Sequence, residues 1–139
     1  MNFEFNDEQK ALQQLARRVA KDKVAPRAAE LDETGEYPED IFAVFRDTGL
    51  LGVGFPPEYD GSGLGITGLA IAVEETAKYC NSCALMLLLT RLGTSAIFFG
   101  GNDEQKRHYL PAVATGKMRS AFALTEPGAG SDKIGRAHV

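Results

Sequence analysis

The chain of 139 residues contains no tryptophan, two cysteines and two histidines. Each scarcity closes a class of function. His108 and His138 are distant in sequence, and the two cysteines supply only half of a four-ligand zinc set, so no metal site is expected. No uninterrupted apolar run approaches the length of a bilayer span; the longest, Ala84 to Leu89, is far too short. The N-terminus, Met1-Asn2-Phe3-Glu4-Phe5-Asn6-Asp7-Glu8, lacks the cationic flank and apolar core of a secretory signal, and its acidity is unlike a transit peptide. A cytoplasmic protein without membrane insertion is therefore the expectation. Fifteen basic residues face nineteen acidic ones, giving a net charge of −4. The two signs are interspersed, which argues against a basic nucleic-acid-binding face.

What is present is ordinary globular material, 44% hydrophobic, in a chain long enough for one domain with its own core. Asn6 with Gln9 three residues on reads as a capping box. Leu12, Leu15, Ala16 and Val19 then share one face, with Lys10, Gln13, Arg17 and Arg18 mostly off it. Pro26 ends this helix or starts the next. Arg27 to Asp32 continues as helix up to Gly35. Pro38 suits a first helical position, followed by Ile41, Phe42, Val44 and Phe45, with Gly49 as the stop. Residues 52–68 are rich in glycine and proline and read as a long loop, more often functional or packed than idle.

Leu69 to Lys78 predicts a helix with Ile71, Ala72 and Val73 inside and Glu74 or Glu75 toward water. Ser82 to Leu92 is apolar nearly all round and predicts a central helix. Thr94 to Phe99 predicts a short one. Asn102 with Gln105 repeats the capping pattern for a helix through Tyr109, and Pro111 to Thr115 adds a turn or short helix. The period changes at Ser120 to Leu124, the first run that reads as a strand.

Several residues invite chemistry that their surroundings do not support. Cys80-Asn81-Ser82-Cys83 has the spacing of a redox pair, but no thioredoxin-like βαβ context, and free cysteine packs readily as a small hydrophobe. We read the pair as two small core residues at a helix junction. Glu74 and Glu75 point about 100° apart on a helix, so they do not converge as acid and base; a solvated helix edge is the simpler reading. His108, beside Lys106 and Arg107, reads as surface.

The densest signal is Ala121-Phe122-Ala123-Leu124-Thr125-Glu126-Pro127-Gly128-Ala129-Gly130-Ser131-Asp132. An apolar run meets a threonine, then a turn of proline and small residues, then serine and aspartate. Proline stops a regular ladder. Gly128 and Gly130 leave no side chain in the way of a flat ligand. Thr125, Ser131 and free backbone N–H groups offer hydrogen bonds. Such a loop suits a heteroaromatic ring or an anion, although spacing alone favours a plain turn after a strand.

Leu124-Thr125-Glu126-Pro127-Gly128-Ala129-Gly130-Ser131-Asp132 resembles the signature of the acyl-CoA dehydrogenases. Three further segments resemble that family in the same order. They are Pro38-Glu39-Asp40 with Asp47-Thr48-Gly49-Leu50-Leu51-Gly52-Val53; Phe55-Pro56-Pro57-Glu58-Tyr59-Asp60-Gly61-Ser62-Gly63-Leu64-Gly65; and Gly100-Gly101-Asn102-Asp103-Glu104-Gln105-Lys106 with Tyr109-Leu110-Pro111 and Gly116. Asp60 stands where a glycine is common.

The resemblance implies an all-α fold over residues 1–117, the family's N-terminal helical bundle. Residues 118–132 would then open the middle β-domain with its first strand. It implies FAD as cofactor, contacted by Phe122, Leu124, Thr125, Gly130 and Ser131, with Ser131 also contacting the CoA moiety of the substrate. Residues Leu85 to Thr94 would line the acyl-chain cavity, and Glu126 would hold the loop. The implied partners are an acyl-CoA substrate and an electron-transferring flavoprotein as acceptor, in a homotetramer when full length. The implied reaction abstracts an α-proton and transfers a hydride to flavin, giving a trans-2-enoyl-CoA. The family's catalytic glutamate belongs to a C-terminal helical domain, so no residue here is assigned as the base, and the chain alone is expected to be inactive. Residues 133–139, Lys133-Ile134-Gly135-Arg136-Ala137-His138-Val139, depart from the family pattern and read as a non-native tail resembling translated sequencing-adapter sequence. Two other readings stand beside this one: a small helical binding module using helices 69–99, and a piece of an acyl-CoA oxidase-like flavoenzyme.

Overall fold

The computed structural model describes residues 4–123 together with Thr125, Pro127 and Gly130. Among these residues every regular element is helical. Helix α1, Asp7–Val19, starts as the capping box requires: the Gln9 N–H donates to Asn6 Oδ1 at 2.8 Å, and the Asn6 N–H donates to Gln9 Oε1 at 3.0 Å. Leu12, Ala16 and Val19 face inward. The chain then does not break at Pro26. A widened π turn, Ala20–Val24, and a 3-10 turn, Ala25–Arg27, carry it into α2, Ala28–Thr34. Proline has no N–H to give and its ring crowds the carbonyl four residues back, so the helix changes pitch around it. Gly35, at φ +66°, closes α2.

Helix α3 is Glu39–Asp47; Pro38 sits one place before it rather than at its first position, its carbonyl accepting from the Phe42 N–H at 3.0 Å. The following glycine- and proline-rich stretch is packed rather than loose. Two 3-10 turns, Leu50–Gly52 and Pro57–Tyr59, punctuate it, and Leu50, Leu51, Val53 and Phe55 are buried. Helix α4, Gly65–Ala77, begins four residues before the expected Leu69, and of those four only Gly68 is buried.

Helix α5 is one continuous element, Asn81–Gly100, where the sequence predicts two. Gly93 costs about 1 kcal/mol of propensity but does not break it. By length and composition α5 would suffice to cross a membrane, which counting only uninterrupted apolar residues overlooked. Here it packs against α4, against α3 and against α6, Asp103–Ala114, and carries the buried Arg91, the placement of a core helix. Its apolar residues do not all face inward: Cys83, Ala84, Met86, Leu87, Thr90, Arg91 and Thr94 are buried, while Leu85, Leu88 and Leu92 are exposed. Helix α6 repeats the capping box with Asn102 and Gln105 and runs through Pro111, so the expected separate turn is its last part.

The core lies where α1 packs on α4 and α4 on α5, with Ile41, Phe42 and Phe45 of α3 filling one end. A second cluster, Phe55, Leu110, Val113 and Ala114, joins α6 to the loop before α4.

Two further expectations are corrected. Ser120 to Ala123 is not a strand; no strand occurs among the described residues, and an extended run gains its ladder only from a neighbouring strand. Leu124 lies outside the described residues. Glu75 does not face water. It is 1% exposed, accepting from Arg17 Nη2 at 2.9 Å and Arg17 Nε at 3.1 Å and paired with Lys78 Nζ at 2.9 Å. The Arg17 fork draws its carboxyl down to about 2, against the upward push of burial and with help from Lys78. Glu74 is the exposed member of the pair.

Candidate site at the exit from the bundle

After α6 the chain turns back along the bundle, and three contacts fix its course. The Met118 N–H donates to the Ala112 carbonyl at 2.9 Å. Arg119 lies over Tyr37 and Phe42, 4.6 and 4.4 Å from their ring centres, and its fork grips Glu39, with Nη1 on Oε1 at 2.9 Å and Nη2 on Oε2. Planar guanidinium stacking plus a two-point carboxylate bond sets orientation as well as position. Ser120 Oγ donates to the Leu89 carbonyl of α5 at 2.8 Å. Gly93 makes that approach feasible: a Cβ there would lie 2.7 Å from the Ser120 Cβ.

Beneath this exit segment lies an apolar cavity of about 240 Å³, bounded by Tyr37, Phe42, Met86, Leu89, Val113 and Met118. It is smaller than a typical drug-sized ligand site of roughly 300–1,000 Å³. On the outer side, Leu85, Leu88 and Leu92 leave 40–47% of their surface uncovered, a leucine stripe along α5. The hydroxyls of the buried side of α5 are already used. Thr90 donates to Leu87 at 2.7 Å, Thr94 to Thr90 at 2.6 Å and Ser95 to Arg91 at 2.6 Å, all within the helix. Of the stretch expected to line an acyl cavity, Thr94 therefore belongs to the core, Met86 and Leu89 border the cavity, and Leu85, Leu88 and Leu92 are exposed.

The sequence-predicted contact residues are partly in view. Phe122 is half exposed, and Thr125 and Gly130 are exposed. Leu124 and Ser131 lie outside the described residues, as do Glu126, Gly128 and Ala129. The structure thus shows an exit segment clamped at its base, with an aromatic ring, a hydroxyl and a glycine presented beyond the clamp. Cys83 is buried and Cys80 half-buried at the start of α5, at the expected helix junction, and both are free thiols. His108 is exposed as expected. Among the described residues no cluster of His, Cys, Asp and Glu could hold a metal ion.

The Arg119 clamp and the Gly93 contact were not anticipated. An isolated glycine inside an apolar helical run is a signal of close backbone approach and could have marked Gly93. Nothing in the sequence pairs Arg119 with Glu39, eighty positions earlier.

A family model described as the acyl-CoA dehydrogenase N-terminal domain matches residues 6–117. The probable acyl-CoA dehydrogenase YngJ of Bacillus subtilis is 41% identical over 136 residues, covering 97% of this chain and 36% of that protein. The structure of butyryl-CoA dehydrogenase from Megasphaera elsdenii superposes with a TM-score of 0.88 at 34% identity, covering 95% of this chain and 36% of that one. A chain from work on the electron transferring flavoprotein of Acidaminococcus fermentans superposes with a TM-score of 0.89 at 32% identity, covering 95% and 35%. The chain spans about a third of the length of the relatives it matches.

Proposed function

The chain belongs to the acyl-CoA dehydrogenase family, whose N-terminal domain it carries, and from that premise we propose that it serves the flavin-dependent oxidation of an acyl-CoA thioester to the trans-2-enoyl-CoA. The observation that carries the reading is the clamped exit segment beside the leucine stripe of α5. Covering the uncovered part of Leu85, Leu88 and Leu92 with an alkyl chain is worth about 1 kcal/mol per side chain. That suits an acyl tail laid along the helix.

The residue types beyond the clamp fit a flavin: an exposed aromatic side chain, a hydroxyl and a glycine on backbone whose base cannot drift. Phe122 and Leu124 would present backbone groups to the ring and Thr125 its hydroxyl. Gly130 would admit the ring and the thioester close to the main chain. Ser131 would hydrogen-bond both the cofactor and the CoA moiety. Bound FAD would supply the hydride acceptor; the protein's share is to orient the thioester and exclude water. Glu75 is not the base. Its carboxyl sits at about 2, held by Arg17 and Lys78, too weakly basic and too enclosed to take an α-proton. We place the base in the part of the whole protein beyond this third, so that the chain alone would not turn over. The proposal includes an electron-transferring flavoprotein as acceptor, a homotetramer for the whole protein, and a cytoplasmic location.

The test is the visible spectrum of the purified product of the complete gene. A bound flavin that bleaches when acyl-CoA is added anaerobically supports the reading. A colourless protein would instead favour a helical binding module acting through the leucine stripe. Bleaching followed by rapid reoxidation in air would favour an acyl-CoA oxidase-like enzyme.

A further inference from the structure

Cys80 and Cys83 are used by nothing described above. Cys80 is the N-cap of the twenty-residue helix α5, in extended backbone at φ −151° and ψ 112°, and Cys83 stands three places into the first turn. The Cys83 N–H donates to Cys80 Sγ at 3.4 Å, so the first sulfur lies over the free amide end of the helix. Cys80 Sγ thus lies against the backbone of Cys83 within one helical turn, where C-x-x-C spacing permits a disulfide.

Their access differs sharply. Cys83 is fully buried in the main core cluster. Cys80 is half-buried and borders an open hollow of about 330 Å³ formed with Ala28, Ala29, Asp32, Tyr79 and Ser82. Burial first, then the Cys80 sulfur, pushes the Cys83 thiol up to about 12, with Asp40 adding to the shift and Arg27 opposing it. Cys83 is thus held as a neutral thiol and cannot open the reaction.

We propose that Cys80 and Cys83 form a reversible intramolecular disulfide by exchange with a small-molecule disulfide, Cys80 attacking and Cys83 resolving. In the first step the Cys80 thiolate bonds to one sulfur of the small disulfide, the S–S bond breaks, and one small thiolate leaves. In the second, the Cys83 sulfur bonds to Cys80, the mixed disulfide breaks, and the second small thiolate leaves with the proton from Cys83. The protein is oxidised by two electrons and the small disulfide is reduced to two thiols. The bond would staple the first turn of α5, directly before Leu85 of the leucine stripe. The inference does not depend on the flavin reading.

The experiment equilibrates the protein in glutathione buffers of rising disulfide-to-thiol ratio, quenches with acid, alkylates free thiols and weighs the intact chain. The expected result is a species lighter by two hydrogen atoms, unalkylated at both cysteines and restored by a reductant. C83S should stop at one glutathione adduct, while C80S stays unmodified over the same time. Two free thiols at every ratio, a disulfide between chains, or equal reaction of C80S and C83S would overturn the proposal. Should C83S fail to fold, alkylation of the native wild-type protein decides the order of reactivity. Cys80 should react first and Cys83 only on unfolding, and equal rates would count against the scheme.

Discussion

Gly93 and Ser120 meet more closely than two residues with side chains can. A Cβ on Gly93 would stand 2.7 Å from the Ser120 Cβ and 2.9 Å from the Ala121 nitrogen. This makes the sign of one substitution diagnostic. In a helix interior Gly→Ala ordinarily stabilises by about 1 kcal/mol, whereas forcing a methyl into an occupied contact costs about 1–3 kcal/mol. Gly93→Ala should therefore lower stability to urea, or release the exit segment and speed proteolysis near Arg119. A more stable variant with unchanged proteolysis would mean that the segment does not lie on α5.

Glu75 predicts the acid limb of the stability curve. Its folded pKa, about 2, lies below the ordinary 4.5. A depressed carboxylate stabilises the fold above the unfolded value, and that contribution is lost as pH falls through the folded one. Stability should drop between pH 4.5 and 2 by an amount that Glu75→Gln removes. At neutral pH the same substitution should cost about 1–3 kcal/mol, the range for hydrogen bonds to charged groups. Arg17 is 55% exposed and can be solvated when its partner goes, so the penalty of an orphaned buried charge does not apply. Urea titrations of both proteins at several pH values measure this; parallel curves would show that Glu75 is not the titrating group.

Local signals were legible in the sequence, and pairings across the fold were not. Both capping boxes, at Asn6 and Asn102, and the stops at Gly35 and Gly49 follow from chemistry within four residues, and all four formed as read. The two predicted helices are one element, α5, and the close approach of Ser120 that accounts for Gly93 within it comes from another segment. Glu75 looked like a solvated edge because its partner Arg17 is fifty-eight positions away. Of the candidate site, the residue types were readable and the clamp that positions them was not. Arg119 reaches Glu39, Tyr37 and Phe42 only after the chain has folded back across α3. The strand expected at Ser120 has the right period, but a ladder needs a second strand.

Arg91 offers a test in the opposite direction. Its guanidinium stacks 4.0 Å from the Phe98 ring centre and 5.3 Å from that of Phe55, yet Nε and Nη1 are buried without a hydrogen-bond partner. Burial alone lowers its pKa. An unpaired buried donor costs about 1–3 kcal/mol, and exchange of buried charge for a well-packed apolar side chain is often neutral or favourable. Arg91→Met keeps the stem that fills the space beside Gly54 and removes both orphan donors; it should gain about 1–2 kcal/mol on that basis. Arg91→Ala should lose about 2–4 kcal/mol to the cavity it leaves. Thermal unfolding of the two variants separates them, and a loss with Met as large as that with Ala would mean the stacked charge is itself favourable.

Asp60 stands where a glycine is common in loops of this kind, and its backbone shows why. It takes φ +60° and ψ 24°, the one non-glycine residue at positive φ among those described. Its N–H closes the Pro57–Tyr59 turn on the Pro57 carbonyl at 3.1 Å. The turn lies close against Gly52, where an added Cβ would stand 3.3 Å from the Asp60 carbonyl. A left-handed conformation costs an L-residue about 1–2 kcal/mol, with aspartate and asparagine at the cheaper end. Glycine would remove that strain but lose more entropy on folding, leaving Asp60→Gly a net gain of up to about 1 kcal/mol. Asp60→Asn should be close to neutral. Asp60→Val, β-branched at positive φ, should lose more than 1 kcal/mol or so. Urea midpoints in the order Gly, then Asp and Asn together, then Val would support backbone strain as the cause. A Val variant as stable as the parent would show that the turn relaxes.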